Sequence, residues 1–227
     1  MRSSRLLADS TQKLNGALSR LASGSKIVSP QDDAAGLAVA TKFDAQISRN
    51  NAASNNVSSA LSYSQTQDGF LGKVSKALDR MSELMNLAND ATKSTNDKAN
   101  YNTEFTDLKN YISDLGTKEF NGVSLFDGSG LAVTKDSEGN TWTLNASDLN
   151  DTDITSVIAS GFTVTSTMST LTTSIESVST HRAQVGGNIQ RLNLTNEQLG
   201  ILSENLQASV SRIKDVDVAT ESTQFAR

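Results

Sequence analysis

Two long stretches of the chain repeat apolar residues at helical spacing, and the region between them does not. The first stretch runs from Gly36 to Ala88 and the second from Leu171 to Ile213. Near the end of the first, apolar residues alternate steps of three and four, which is the period of about 3.5 residues seen in coiled coils. These residues are Leu71, Val74, Leu78, Met81, Met85 and Ala88. A long helix cannot bury such a stripe by itself, so the pattern predicts two long helices packed side by side as a rod.

Leucines upstream of the first stretch predict a further helix, and a capping signal follows it. The leucines are Leu6, Leu7, Leu14, Leu18 and Leu21, and their helix is expected to end at Ser23–Gly24. Ser29 is predicted to be the N-cap of the first long helix and Pro30 its first residue. Asp32 and Asp33 would then lie in the first turn, where carboxylates favour the helix dipole. Capping is favoured over metal binding for both, because no cluster with metal-ligand spacing surrounds them.

The region between the two long stretches predicts one helix and several short strands. The helix is expected over Asp97–Leu115, with Phe105 and Ile112 on its apolar face. Asn121–Gly122, between short apolar runs, is a strong hairpin signal. Further strands are predicted at 131–135, 141–144 and 162–165, with a turn at 136–140 and a break at 214–217 before a final short helix. The predicted fold class is mainly α: a long antiparallel coiled-coil-like helical rod with a small β-hairpin region.

The composition fits a thin seam of small apolar side chains better than a thick core. Of 227 residues, 36% are hydrophobic and 5% aromatic, and the chain has one proline and no cysteine. The lack of cysteine excludes disulfides, thiolate catalysis and zinc–thiolate sites. A net charge of −5 without a basic patch disfavours a nucleic-acid partner. No apolar run reaches membrane-spanning length and no secretory signal core is present, so membrane insertion and signal-dependent secretion are not expected.

The sequence shows no arrangement typical of an enzyme or a cofactor site. Its single histidine, His181, lies beside Arg182 in a predicted helix, and no nucleophile motif accompanies it. No phosphate-binding glycine loop occurs, and residues 136–140 lack the pattern of a calcium-binding loop. We therefore expect no catalytic residue, no metal and no cofactor.

Three groups of residues resemble signatures of the bacterial flagellins. In family order, they resemble the N-terminal signature, the segment that follows the second N-terminal core helix, and the C-terminal signature. The groups are 23–27 with 32–38, 119–123 with 125–128, and 211–217 with 219–221. Together they span both ends and the middle of the chain, which makes the resemblance specific.

The resemblance implies an extracellular structural subunit that packs with identical subunits into the bacterial flagellar filament. It also implies secretion of the unfolded chain by the flagellar export apparatus, with an export chaperone as a further partner. The implied parts are 1–28 (N-terminal helix and loop), 29–127 (N-terminal part of the rod with the first hairpin), 128–165 (short, variable, outward-facing β-rich region), 166–213 (C-terminal rod helix) and 214–227 (start of the C-terminal segment).

The two ends of the sequence depart from the family pattern. Family members carry a further apolar helix after the C-terminal signature, whereas this sequence stops at Arg227. We therefore expect a minimal flagellin trimmed at its termini, chiefly the C-terminus, that does not polymerise on its own.

The resemblance further implies a surface for the flagellin-sensing Toll-like receptor of innate immunity. By motif alignment this surface falls on Leu78, Arg80, Leu84 and Glu104. Arg80 and Glu104 are expected to be exposed, with the Arg80 guanidinium as an interface anchor. The residues leave an alternative open, in which Leu78 belongs to the helical seam and Arg80 is a solvated charge.

Two other functions remain open at this stage. A flagellin-like cell-surface binding protein would use the short β region, with Trp142 beside Thr141 and Thr143 as a platform for a glycan or receptor. A lone aromatic residue is, however, more often the anchor of a small core. A hook–filament junction protein would have similar helices, but segments 120–122 and 211–213 favour a flagellin proper.

Overall fold

Helices make up most of this protein, and short strands occupy only its middle region. The computed structural model describes residues 2–162 and 164–225; Thr163 of the predicted third strand and the side chain of Leu6 lie outside the described residues. The elements are α1 Arg2–Ser23, α2 Ala34–Asn89, α3 Thr95–Gly116, β1 Glu119–Phe120, β2 Val123–Ser124, β3 Ala132–Thr134, β4 Thr141–Thr143, α4 Thr152–Ala159, α5 Val164–Lys214 and α6 Val218–Phe225.

The chain divides into two compact units, and both long helices pass through each of them. The first unit comprises 1–54, 136–138 and 197–227, and the second comprises 55–135 and 139–196. In the first, α2 contacts α5 through the pairs Asp44–Lys214 and Asn50–Leu199. In the second, it does so through Asp68–Arg182 and Ser82–Met168. In both units, residues later in α2 contact residues earlier in α5, so the two helices pack antiparallel, as predicted.

The apolar stripe read from the sequence forms the core of the second unit. Side chains from α2, α3 and α5 are almost completely withdrawn from solvent, which is the main favourable term for folding. They include Leu71, Val74, Leu78, Met81, Leu84 and Met85 of α2, Phe105 and Ile112 of α3, and Leu171, Val178, Val185 and Leu192 of α5. Helix α4 packs on α3 and contributes the buried residues Ile154 and Val157.

The start of α2 corrects the predicted cap. The helix begins at Ala34, not at Pro30, and Asp33 is its N-cap, because its carboxylate accepts a hydrogen bond from the Gly36 amide at 2.8 Å. Ser29, Pro30 and Asp32 form a turn before the helix instead. The Asp32 carboxylate accepts the backbone amide of Ser29 at 2.8 Å, and this hydrogen bond is the main reason why the pKa of Asp32 is lowered. A carboxylate is a stronger acceptor for the backbone amides of Ser29 and Gly36 than a hydroxyl such as that of Ser29 would be.

Two short hairpins occur where the sequence predicts them, and one predicted strand is wrong. Strands β1 and β2 pair antiparallel around Asn121–Gly122, whose φ angles of 52° and 76° fit a two-residue turn of type I′. Strands β3 and β4 pair antiparallel, with Val133 opposite Trp142. The strand expected at 162–165 does not form at its C-terminal end, because α5 already begins at Val164. Phe162 instead packs edge-on against Phe105, with ring centroids 5.3 Å apart.

Candidate functional site

In the first unit, backbone hydrogen bonds join the loop after α1 to the segment where α5 ends and α6 begins. We call this connection, with the adjoining helix ends, the terminal joint (residues 20–32 and 214–221). The Lys26 amide donates to the Lys214 carbonyl at 2.6 Å, and the Val216 amide donates to the Gly24 carbonyl at 3.1 Å. Gly24 has a φ of 69°, a left-handed conformation that favours glycine. The signature residues at the two ends of the sequence therefore meet in space and close the joint.

One arginine links three parts of the terminal joint. The Arg20 guanidinium of α1 lies 3.6 Å from the Asp32 carboxylate and 3.6 Å from the Glu221 carboxylate of α6. Glu221 is 7% exposed. A carboxylate so far withdrawn from water needs a cation nearby, because an unpaired buried charge is costly. Arg20 supplies that charge and is expected to fix α6 against α1.

Helix α1 keeps an apolar face exposed. Its Ala17 is buried, whereas Leu7, Leu14 and Leu18 are between 41% and 72% exposed. Leucines at this spacing lie on one face of a helix, so they form an apolar strip that the described residues leave uncovered. Exposed apolar strips of this kind mark surfaces that associate with another protein.

The four residues of the expected receptor surface divide into two classes. Leu78 and Leu84 are fully buried in the second unit. The side chains of Arg80 and Glu104 are 44% and 45% exposed and meet across α2 and α3, with Nε–Oε1 at 2.7 Å and the second guanidinium–carboxylate contact at 3.1 Å. The hydrogen bond to Glu104 raises the pKa of Arg80, and the same bond lowers the pKa of Glu104. The structure thus brings together the two charged residues and places the two leucines in the core beneath them.

Trp142 does not form the exposed platform considered for a glycan. It is 8% exposed, and the Arg191 guanidinium lies over its ring at 3.9 Å from the centroid. Nearby, the Asn188 side chain exchanges two hydrogen bonds of 3.2 Å with the backbone of Asn145. Trp142 therefore anchors the second hairpin on α5, and its ring is not available as a platform for a sugar. The sequence could not show this, because Arg191 lies far along the chain.

No catalytic arrangement is found in the described part of the chain. His181 forms no hydrogen bond there, and no group of three or more histidine, aspartate or glutamate side chains is placed to hold a metal ion within residues 2–162 and 164–225. None of the helices in those ranges is both long and apolar enough to cross a membrane.

Comparison with known proteins matches the two ends of the chain to the two helical regions of one family. The model of the bacterial flagellin N-terminal helical region matches residues 1–131. The model of the bacterial flagellin C-terminal helical region matches residues 168–227. These ranges contain α1 to β2 and almost all of α5 with α6.

Individual relatives agree with this assignment. A flagellin of Halalkalibacterium halodurans is 34% identical over 220 residues, which cover 93% of this chain and 81% of that protein. The flagellar filament 30.7 kDa core protein of Treponema maltophilum is 27% identical over 100% of this chain and 87% of its own length. The crystal structure of Bacillus cereus flagellin is similar with a TM-score of 0.57 and 27% identity, covering 64% of this chain and 88% of that one. With matches of this extent, which include both long antiparallel helices, the chain belongs to the bacterial flagellins, the structural, non-enzymatic subunits of the flagellar filament outside the cell.

Proposed function

We propose that this filament subunit has two further kinds of partner: the flagellar export apparatus with an export chaperone, and the flagellin-sensing Toll-like receptor. Self-assembly with identical subunits follows from the family itself. The observation that supports a chaperone is the exposed apolar strip of α1. The observation that supports the receptor is the exposed two-point pair between Arg80 and Glu104.

The apolar strip of α1 is a surface that a chaperone could cover before export. Leu7, Leu14 and Leu18 would be exposed to other unassembled chains in the cytoplasm, where they favour aggregation. In cells that lack the flagellar export chaperone, we expect less of this chain in the medium and more of it as cytoplasmic aggregate. Quantitative blotting of both fractions measures this, with a strain that lacks an unrelated chaperone as control. Unchanged secretion in the first strain would remove the chaperone from the proposal.

The receptor surface that the structure supports is smaller than the one implied by resemblance. Arg80 also contacts the Glu83 carboxylate at 2.9 Å, so its guanidinium lies between two acidic residues with its side chain 44% exposed. A planar guanidinium held in this way is pre-oriented for a partner, and arginine is enriched among residues that dominate interface energies. Leu78 and Leu84 support this arrangement from the core instead of contacting the receptor directly.

An Arg80→Ala variant should weaken receptor signalling by roughly tenfold, the effect of losing about 1–2 kcal/mol at an interface anchor. A dose–response curve in receptor-expressing reporter cells measures the shift. Arg182→Ala is the matched control, because Arg182 is 46% exposed and pairs with Asp68 at 2.9 Å in the same unit. Equal potency of Arg80→Ala and the unsubstituted protein would refute the proposed surface, and equal losses in both variants would make the effect nonspecific.

A further inference from the structure

The tip of the first hairpin is an Asn–Gly pair that no other part of the described chain covers. Asn121 and Gly122 are both exposed, and a Cβ placed on Gly122 would meet no atom within 4 Å. Among the described residues, neither the Asn121 carboxamide nor the Gly122 amide takes part in a hydrogen bond. The side chain of the asparagine and the backbone nitrogen that follows it are therefore free to react with each other when the turn opens.

The base of this hairpin is held on α2, whereas its tip is not. The Tyr63 hydroxyl of α2 donates to the Ser124 carbonyl at 2.7 Å, and the Gln67 amide donates to the Leu125 carbonyl at 2.6 Å. Strands β1 and β2 have only two residues each, and so short a pair is marginally stable by itself. We expect the tip to open locally at a small cost in free energy while the base stays docked.

The same dipeptide occurs a second time in the chain, in a setting that should prevent a reaction between its two residues. Asn15–Gly16 lies in the interior of α1, and Asn15 is exposed, as Asn121 is. The backbone nitrogen of Gly16 is held in the helical conformation, so it reaches the Asn15 side chain only if several helical hydrogen bonds break together. The two pairs share their chemistry and the exposure of their asparagine, and they differ in backbone structure.

We propose that Asn121 is a site of spontaneous deamidation, at which the folded chain acquires isoaspartate or aspartate. The backbone nitrogen of Gly122 attacks the side-chain carbonyl carbon of Asn121 and closes a succinimide ring, and the side-chain nitrogen leaves as ammonia with the proton of the Gly122 amide. Water then opens the ring at either carbonyl, so one water is consumed for each ammonia released. Glycine favours the attack, because it has no Cβ to obstruct its nitrogen.

The isoaspartyl product changes the hairpin as well as its charge. Its main chain runs through the side-chain carbons of the former asparagine, so the turn gains one backbone atom and no longer fits the two-residue geometry. The hydrogen bond from the Leu125 amide to the Lys118 carbonyl, at 3.1 Å, lies directly beyond β1 and β2. We therefore expect β1 and β2 to lose their register and this bond to weaken in the modified chain.

The reaction needs only water, so it proceeds outside the cell, where the filament lies. A carboxylate replaces a neutral amide, which adds one negative charge to a chain whose net charge is −5. The modified form therefore accumulates with the age of the subunit and can be separated from the fresh form by ion exchange.

Ageing of the purified folded chain for weeks in a mildly alkaline buffer tests the site. Peptide mapping by mass spectrometry follows each asparagine, and the same chain aged in denaturant is the reference in which both Asn–Gly pairs are unstructured. In the folded chain we expect Asn121 to convert at least roughly tenfold faster than Asn15, because a difference of about 1.4 kcal/mol in the free energy of local opening already gives this factor. In denaturant the two rates should be similar.

Asn121→Gln is the matched variant, since its longer side chain would have to close a larger ring, which forms far more slowly. It should give no acidic form at this position on ageing, even if glutamine loosens the turn. Hydrogen exchange at the Leu125 amide should become faster when the unsubstituted chain is aged, and should stay unchanged when Asn121→Gln is aged.

Two results would overturn the proposed site. One is an Asn121 that remains an amide in the folded chain while it converts in denaturant, and the other is equal conversion of Asn121 and Asn15 in the folded chain. Unchanged exchange at Leu125 in a chain that carries isoaspartate would overturn the inferred loss of register.

Discussion

Leu84→Ala should lower the free energy of unfolding by about 2–5 kcal/mol, the cost of deleting a fully buried leucine side chain from a packed core. Leu84 is 0% exposed, as is Leu78, which lies six residues earlier on α2. The loss has two parts. The folded state loses the free energy gained by burying the deleted carbon atoms, and the surrounding side chains lose van der Waals contacts around the cavity that remains. An equal loss is expected for Leu78→Ala.

Chemical unfolding followed by circular dichroism measures this effect, and α2 offers its own control. Leu87 lies on the same helix and is 38% exposed, so Leu87→Ala should cost less than about 1 kcal/mol. A Leu84→Ala midpoint equal to that of the unsubstituted protein would contradict the burial of this side chain. The comparison also bears on receptor recognition, since a variant that signals poorly because its core is weakened must be distinguished from one that lacks a contact.

The long helices could be predicted because their signal is periodic and repeated many times. Leu71, Leu78 and Met85 recur every seven residues, and no strand would bury that set on one side. The same periodicity supported the alternative that Leu78 belongs to the seam, and its burial agrees with that alternative. Turn chemistry was equally direct at Asn121–Gly122, where both residues adopt the positive φ that a two-residue hairpin needs.

Boundaries and short elements were less predictable, because several local signals compete there. Ser29–Pro30 has the residue types of a helix start, yet Asp33 supplies the stronger acceptor and sets the start of α2 at Ala34. Residues 162–165 have the β-branched character of a strand, but α5 begins at Val164. Helix α4 is short and packs on α3, and the sequence carries neither a capping signal nor a long run of apolar residues at helical spacing that would predict it.

The candidate site residues depended on contacts between distant parts of the sequence. Arg80 and Glu104 each have an ordinary surface context in the sequence, and only the packing of α3 on α2 brings them to 2.7 Å. For Trp142 the sequence left open a platform for a glycan and the anchor of a small core, and the Arg191 guanidinium over its ring agrees with the second.

Arg20→Met should open the terminal joint. The substitution keeps an apolar stem of similar length but removes the cation that lies 3.6 Å from both Asp32 and Glu221. The side chain of Glu221 is 9% exposed and that of Arg20 is 34% exposed, so solvent screens the pair in part. We therefore expect a cost of about 1–3 kcal/mol, which is less than that of breaking a fully buried ion pair.

Hydrogen exchange at the amides of Lys26 and Val216 reports this opening directly, because these amides make the backbone bonds to Lys214 and Gly24 that close the joint. Their exchange should become roughly ten- to a hundredfold faster in Arg20→Met, since each 1.4 kcal/mol corresponds to about a factor of ten.

Arg212→Met is the control, because Arg212 is an exposed arginine of the same unit that lies outside these ion pairs. Replacing both partners, as in Arg20→Met with Glu221→Met, should restore much of the protection, because no charge is then left buried alone. Unchanged exchange in Arg20→Met would mean that the backbone bonds hold α6 against α1 without the ion pairs. Fast exchange in the double variant as well would mean that the arginine acts through its own packing and not through the charge of Glu221.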